Sequence, residues 1–191
     1  STPAPLDVKT SPAVPAPVDG FFYAGLAKQL CMMPQFPKLK KLESSDRETI
    51  RECTSNFPPY SDFNFMSLWS WNHKDEIAIS QLHGNLVVRF TDYLTAEPFY
   101  SFIGTNKVNE TTGALIELSL SEGMPPILKL VPEMVTLKLD QSMFSITEDP
   151  AHTDYILSVE KLKTFDGPEL AGKRRSVNKF LRQVSNFSFR L

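Results

Sequence analysis

The chain has 191 residues, 41% of them hydrophobic and 22% charged, and a net charge of −2. That balance suits a soluble globular domain with one sizeable core and excludes a chain-wide electrostatic binder of nucleic acid. No apolar run is long enough to cross a bilayer, and no basic segment precedes an apolar one as in a signal peptide.

Five of the 15 prolines fall in the first 17 residues. Each fixes φ and removes an amide donor, so residues 1–19 read as a flexible Pro/Ala-rich leader. Residues 20–37 read as an apolar boundary helix, ended by Pro34 and Pro37. Cys31 and Cys53 make neither a disulfide framework nor a zinc site and read as small reduced hydrophobes. Residues 38–191 then read as one domain.

A short strand is expected over Lys38–Leu42. Ser45 and Glu48 have capping-box spacing for a helix carrying Ile50, Cys53 and Thr54 on one face. Pro58 and Pro59 stop it. The aromatic density of Asp62–Trp71 predicts a short, largely buried second helix. Strands follow over Glu76–Gln81, Leu86–Thr91 and Pro98–Ile103, the first two joined by a turn at His83-Gly84-Asn85. A helix is expected over Asn109–Glu122, with Gly123 as its stop. After it come a strand at Ile127–Val131, a helix from Pro132 to about Asp140, and a strand at Met143–Thr147. A short helix at Leu157–Leu162 and a basic helix at Gly172–Val184 complete the chain. The order β-α-α-β-β-β-α-β-α-β joins an antiparallel meander to crossovers, an α/β class with a mixed sheet.

Charge is segregated. Gly172 to Leu191 carries six cations and no acid, which leaves −8 on the rest of the chain. At helical spacing Arg175, Lys179 and Arg182 share one face, and Val177, Phe180, Leu181 and Val184 another. The basic face reads either as an anion contact or as a solvated surface. His73, His83 and His152 are too scattered for a metal pair, so no metal is expected. Asp154 and Glu160 qualify as an acid or base only within a cleft.

This element order resembles the GNAT acyltransferase fold. Two segments sharpen the resemblance. The first runs from Phe57 to Asn72, with Pro58, Ser61, Asp62, Phe65, Leu68 and Trp71 in the pattern P-x-x-S-D-x-x-F-x-x-L-x-x-W. The second holds Asp154, Tyr155, Ser158, Glu160 and Leu162, close to D-Y-x-Y-S-x-E-x-L, followed by the basic helix with Asn178 and Phe180. Together they resemble bacterial proteins of unknown function related to the C-terminal domain of phosphatidylglycerol lysyltransferase, from about residue 38 to 183.

The resemblance implies two GNAT-like halves, of which this chain is the first. Better-known relatives transfer aminoacyl groups from charged tRNA to a lipid or peptide acceptor, without a cofactor of their own. The expected role here is scaffold and substrate contact, with the chemistry in the second half. Lys173, Arg174, Arg175 and Lys179 are the candidate contacts to charged tRNA or anionic lipid. Tyr60, Asp62, Asn64 and Trp71 form a candidate aromatic and polar pocket, with core packing as the competing reading. The GNAT pyrophosphate loop needs closely spaced glycines and free amides. Gly104 and Gly113 are far apart and Glu110 would face the phosphates, so acetyl-CoA is not expected. The alternative reading is a non-catalytic module that pairs through the face a second half covers, in a homodimer or with a partner. A cytoplasmic or membrane-peripheral location fits either.

Overall fold

The computed structural model describes residues 6–11, 33–72, 76–154, 158–184 and 186–188. The chain divides into two compact units, Ser1–Asp154 and Tyr155–Leu191.

The first unit is built on two sheets. Strands β2 (Lys40–Lys41), β3 (Ala78–Leu82), β4 (Asn85–Thr91) and β5 (Pro98–Ile103) form an antiparallel sheet in chain order. The β3–β4 connection is the two-residue turn His83-Gly84, both at positive φ, as a tight hairpin requires. Strands β6 (Ile127–Pro132) and β7 (Phe144–Glu148) belong to a second, parallel sheet. Between them lies β1, Leu6–Ser11, inside the stretch expected to be a flexible leader. The reason is local. LDVKTS is the proline-free hexamer between Pro5 and Pro12, so every one of its residues keeps an amide for a ladder. The other leader residues, 1–5 and 12–19, lie outside the described residues, as do 20–32 of the expected boundary helix. Residues 33–37 are not helical: Gln81 donates to the Pro34 carbonyl and accepts from the Phe36 amide, each at 3.0 Å.

Helix α1 (Arg47–Thr54) and helix α2 (Phe65–Trp71) precede the meander. Helix α3 (Val108–Ser121) follows β5, and α4 (Glu133–Thr136) is a single turn after β6. This is the GNAT-like order expected from the sequence, with β1 added to it. The capping box before α1 lies two residues earlier than its expected position. Asp46, not Glu48, reaches back, accepting from the Glu43 amide at 2.9 Å, and Lys40 holds the same carboxylate at 2.7 Å.

The antiparallel sheet is buried on both faces, which explains the near-continuous apolar runs of β4 and β5. Leu86, Val88, Phe90, Phe99 and Ile103 pack with Ile50, Phe63 and Leu68. Val87, Tyr100 and Phe102 pack with Leu115 and Ile116 of α3. Cys53 is buried in the first layer, and that burial pushes its thiol up to about 11, so it is inert packing.

The loop after β5 is closed by Asn85. This fully buried amide donates to the Asn106 carbonyl at 2.7 Å and to Thr111 Oγ1 at 3.0 Å, and accepts from the Asn106 amide at 3.1 Å. Gly104 passes it at φ 142°, and a Cβ there would sit 2.7 Å from Asn85 Cγ and 2.8 Å from its Cβ. Gly104→Ala should therefore cost about 2–4 kcal/mol, since neither backbone nor neighbour can yield. Gly113→Ala, in α3 with open space around it, should instead gain about 0.5–1 kcal/mol. Urea unfolding of the two variants checks both signs.

Candidate functional site

A cavity of about 230 Å³ opens where β5 and β6 run side by side. Its floor is apolar, from Leu68, Ile77, Phe90, Phe99 and Leu130, and its polar lining includes Ser61, Asp62, Asp92, Lys129 and His152. At its rim the exposed rings of Trp71 and Tyr93 lie 5.8 Å apart.

Two adjacent residues of β6, Lys129 and Leu130, both line this cavity. Regular strand alternation would send them to opposite faces. A bulge prevents that. Val8 pairs with Leu128 and Thr10 with Val131, so Lys9 alone faces two residues of β6. Leu130 takes φ 58°, a conformation costly for a residue with a Cβ. Lys129 then bonds Asp92 at 3.1 Å and lies 5.3 Å from the Phe99 ring centroid. Burial opposes the Asp92 charge, but the Leu94 and Thr95 amides and Lys129 outweigh it and hold that carboxyl below its usual range.

The opposite wall joins the two sequence motifs. Asp154 accepts hydrogen bonds from the Ser61 amide, at 3.0 Å, and from the Ser61 hydroxyl. Those residues are 93 positions apart in the chain. Asp62 follows Ser61 into the cavity. Burial first, then the Asp154 charge, push its carboxyl up to about 6, against the pull of His152. His152 itself sits 3.0 Å from Asp149.

The sequence profile described as phosphatidylglycerol lysyltransferase, C-terminal, matches residues 55–190, so it contains both motifs and the cavity wall they build. The chain belongs to that family. Among solved structures it is similar to a conserved protein of unknown function from Bacteroides thetaiotaomicron VPI-5482. The identity is 22%, the TM-score 0.63, and the match covers 82% of this chain and 53% of that one. The likeness is one of fold, and this chain spans about half of that protein's length. No curated protein matches significantly.

Of the family-motif residues expected to form a pocket, Asp62 and Trp71 line the cavity. Tyr60 is buried in the core instead of lining it. Asn64 caps α2, its Oδ1 accepting from the Met66 amide at 2.8 Å. Helix α2 is less buried than its composition suggests: Leu68 faces the core, whereas Met66, Trp69 and Trp71 are exposed. Asp154 is engaged by Ser61, and Glu160 is an exposed partner of Lys163 at 2.8 Å. Among the described residues no group of three or more His, Cys, Asp or Glu is placed to hold a metal.

The basic candidates lie in the second unit, made of α5 (Val159–Thr164) and α6 (Ala171–Gln183). Arg175, Lys179 and Arg182 line one shallow notch with Asn178 and Gln183. Lys173 falls on the other stripe, four residues before Val177. Arg174 bonds the Phe165 carbonyl, and the Gly167 carbonyl at 3.5 Å, tying α6 to the turn before it.

The raised Asp62 carboxyl has a consequence for stability. At pH 7.5 it is charged in native and unfolded chains alike, and only the native chain bears the cost of burying that charge. As pH falls through about 6 toward 4 the native chain binds the proton first, and its stability rises relative to a variant without the carboxyl. Asp62→Asn should therefore be more stable than wild type by about 2 kcal/mol at pH 7.5. That gain should shrink toward zero near pH 4. Urea midpoints of both proteins across this range check it, and a pH-independent difference would contradict the burial cost.

Proposed function

We propose that this chain is the first GNAT-like half of an aminoacyl- or acyltransferase. It supplies scaffold and substrate contacts, while the group transfer belongs to a second half. Family membership supports the class of reaction. The observation that carries the contact role is the stripe of Arg175, Lys179 and Arg182, all exposed and on one face of α6. Such a stripe pairs with phosphates by charge-assisted bonds, and charged tRNA and an anionic lipid headgroup both present them. Lys173 and Arg174 are secondary in this reading, since one lies on the apolar stripe and the other braces a turn. Acetyl-CoA is not part of it. Asn85 takes the Asn106 amide in the loop where a GNAT enzyme would cradle pyrophosphate.

Replacing Arg175, Lys179 and Arg182 together by Glu should weaken binding to tRNA, or to phosphatidylglycerol vesicles, at least about tenfold at low salt. The melting temperature should stay nearly unchanged, because all three side chains are in water. Gel-shift and vesicle-sedimentation assays separate the two anions. Unaltered binding to both would overturn the contact role.

A second reading rests on the other stripe of α6. Phe180 and Leu181 are 46% and 49% exposed, with Val177 beside them. Phe187 adds an edge contact to Phe180, ring centroids 5.0 Å apart. A stripe of this kind packs against a second GNAT-like half or a second copy of the chain. Light scattering should then show a dimer of this chain, reduced to monomer by Val177→Asp with Leu181→Asp. A monomeric wild type at high concentration would exclude the homodimer.

A further inference from the structure

We propose that Leu6–Ser11 is a detachable strand whose docking between β6 and β7 imposes the bulge at Lys129–Leu130 and so sets the shape of the cavity. The device lies within the first unit and is independent of the anion contact assigned to α6.

The docking is visible in the backbone ladder. Strand β1 runs parallel to both neighbours, with Asp7–Ser11 along Ile127–Pro132 and Leu6–Thr10 along Phe144–Glu148. Among the described residues neither β6 nor β7 is hydrogen-bonded to any other strand. With β1 between them they stand two ladder spacings apart, about 10 Å, too far to bond each other. Every ladder bond of this sheet therefore passes through β1. Pro5 and Pro12 bound that ladder, because neither has an amide proton to donate. Asp7 and Lys9 are poor strand formers, so propensity adds little. Residues 12–32 give a tether long enough for the strand to leave and return while β2–β5 stay in place. A short element held in this way opens at a free energy well below that of global unfolding.

Register carries the effect across β6. Between Val8 and Thr10 the first strand advances by two residues, while β6 advances from Leu128 to Val131, by three. The surplus falls on Lys129 and Leu130, and Leu130 takes it up at φ 58°. Nothing in Ile127–Pro132 favours that conformation, since the segment has no Gly or Asn, the residues that enter the left-handed region readily. The ladder to β1 imposes it. When β1 leaves, Leu130 relaxes to extended backbone and alternation returns, so Lys129 and Leu130 point to opposite faces of the strand. One of them then leaves the cavity that both line. Either Lys129 gives up Asp92 and the Phe99 ring, or Leu130 gives up its place in the core layer of Phe90 and Phe99. Linkage runs both ways: a ligand that packs on Lys129 and Leu130 together holds β1 in its slot.

In solution NMR of the full chain, amide exchange reads docking, and the three-bond amide–Hα coupling of Leu130 reads its φ. In wild type, residues 6–11, 127–131 and 144–148 should exchange at least about tenfold faster than β4 and β5. Protection equal to that of β4 would mean that the strand leaves only on global unfolding, and would overturn the proposal. Val8 is paired on both sides, so Val8→Pro has no edge to accommodate it. In that variant residues 127–131 and 144–148 should exchange about tenfold faster again, β4 and β5 no faster, and Leu130 should show the coupling of an extended strand. Ala13→Pro, outside the strand, should change neither reading. An unchanged Leu130 coupling in Val8→Pro would make the bulge intrinsic to β6 and overturn the proposal. A second pair leaves the strand intact and decides the matter even where Val8→Pro does not fold. Leu130→Gly and Leu130→Ala lose the same packing, but only glycine takes positive φ freely. Residues 6–11 should therefore exchange at least about fivefold more slowly in Leu130→Gly than in Leu130→Ala. Equal rates in the two would show that docking does not work against the leucine backbone, which also overturns the proposal.

Discussion

The Asp154 carboxylate, gripped by the amide and hydroxyl of Ser61, is the contact on which the site depends. It joins the turn before α2 to the last residue of the first unit. Both bonds end on an ionised acceptor, so they are stronger than neutral ones. They also fix direction. Ser61 is held by backbone and side chain together, which leaves its neighbour Asp62 one way to face, into the cavity. Asp154 at the same time adds a second negative charge beside Asp62. One interaction thus places a carboxylate and makes its ionisation harder.

The far wall is built by a different kind of constraint. A bulge at Lys129–Leu130 turns two consecutive side chains toward one hollow, at the expense of a left-handed leucine. Strand β1 fixes that bulge, because it is the partner against which β6 slips register. The cavity therefore combines three unfavourable features: a half-buried acid, a strained backbone and exposed aromatic rings. A domain selected only for stability would shed each by a single substitution. These three features coincide at this cavity, which is what singles it out as the candidate site.

What the sequence made legible follows the same division. The meander was readable because β4 and β5 are buried on both faces, so Leu86–Thr91 and Pro98–Ile103 carry near-continuous apolar runs rich in β-branched and aromatic residues. Helix α3 was readable from its apolar spacing and from Gly123 beyond its end. Strand β1 was not, because the prolines around it dominate the composition and its partners lie more than 110 residues away. The Asp46 cap was hidden by a better-known pattern two residues on. In the site, Asp62 and Trp71 were marked by the family motif. Lys129 was not, since a bulge has no signature in alternation and its pairing with Asp92 depends on where β6 lands. His152 reaches the cavity through the turn that precedes Asp154, a tertiary fact that no local spacing encodes.

Helix α6 raises a separate question of what holds it. Thirteen residues are marginal for an isolated helix in water. Within the second unit neither of its stripes is buried, so packing inside that unit contributes little. Its support is local: the Pro168–Leu170 turn before it, the Arg174 brace to the Phe165 and Gly167 carbonyls, and Lys161 bonded to Glu169 at 2.9 Å. Surface ion pairs of this kind are worth little each. The sequence nevertheless keeps Val177, Phe180 and Leu181 on one stripe and three cations on another. Solvation alone needs only polar residues, and an apolar stripe in water weakens solubility without adding stability. The helix thus keeps an apolar stripe and a basic stripe apart along its length.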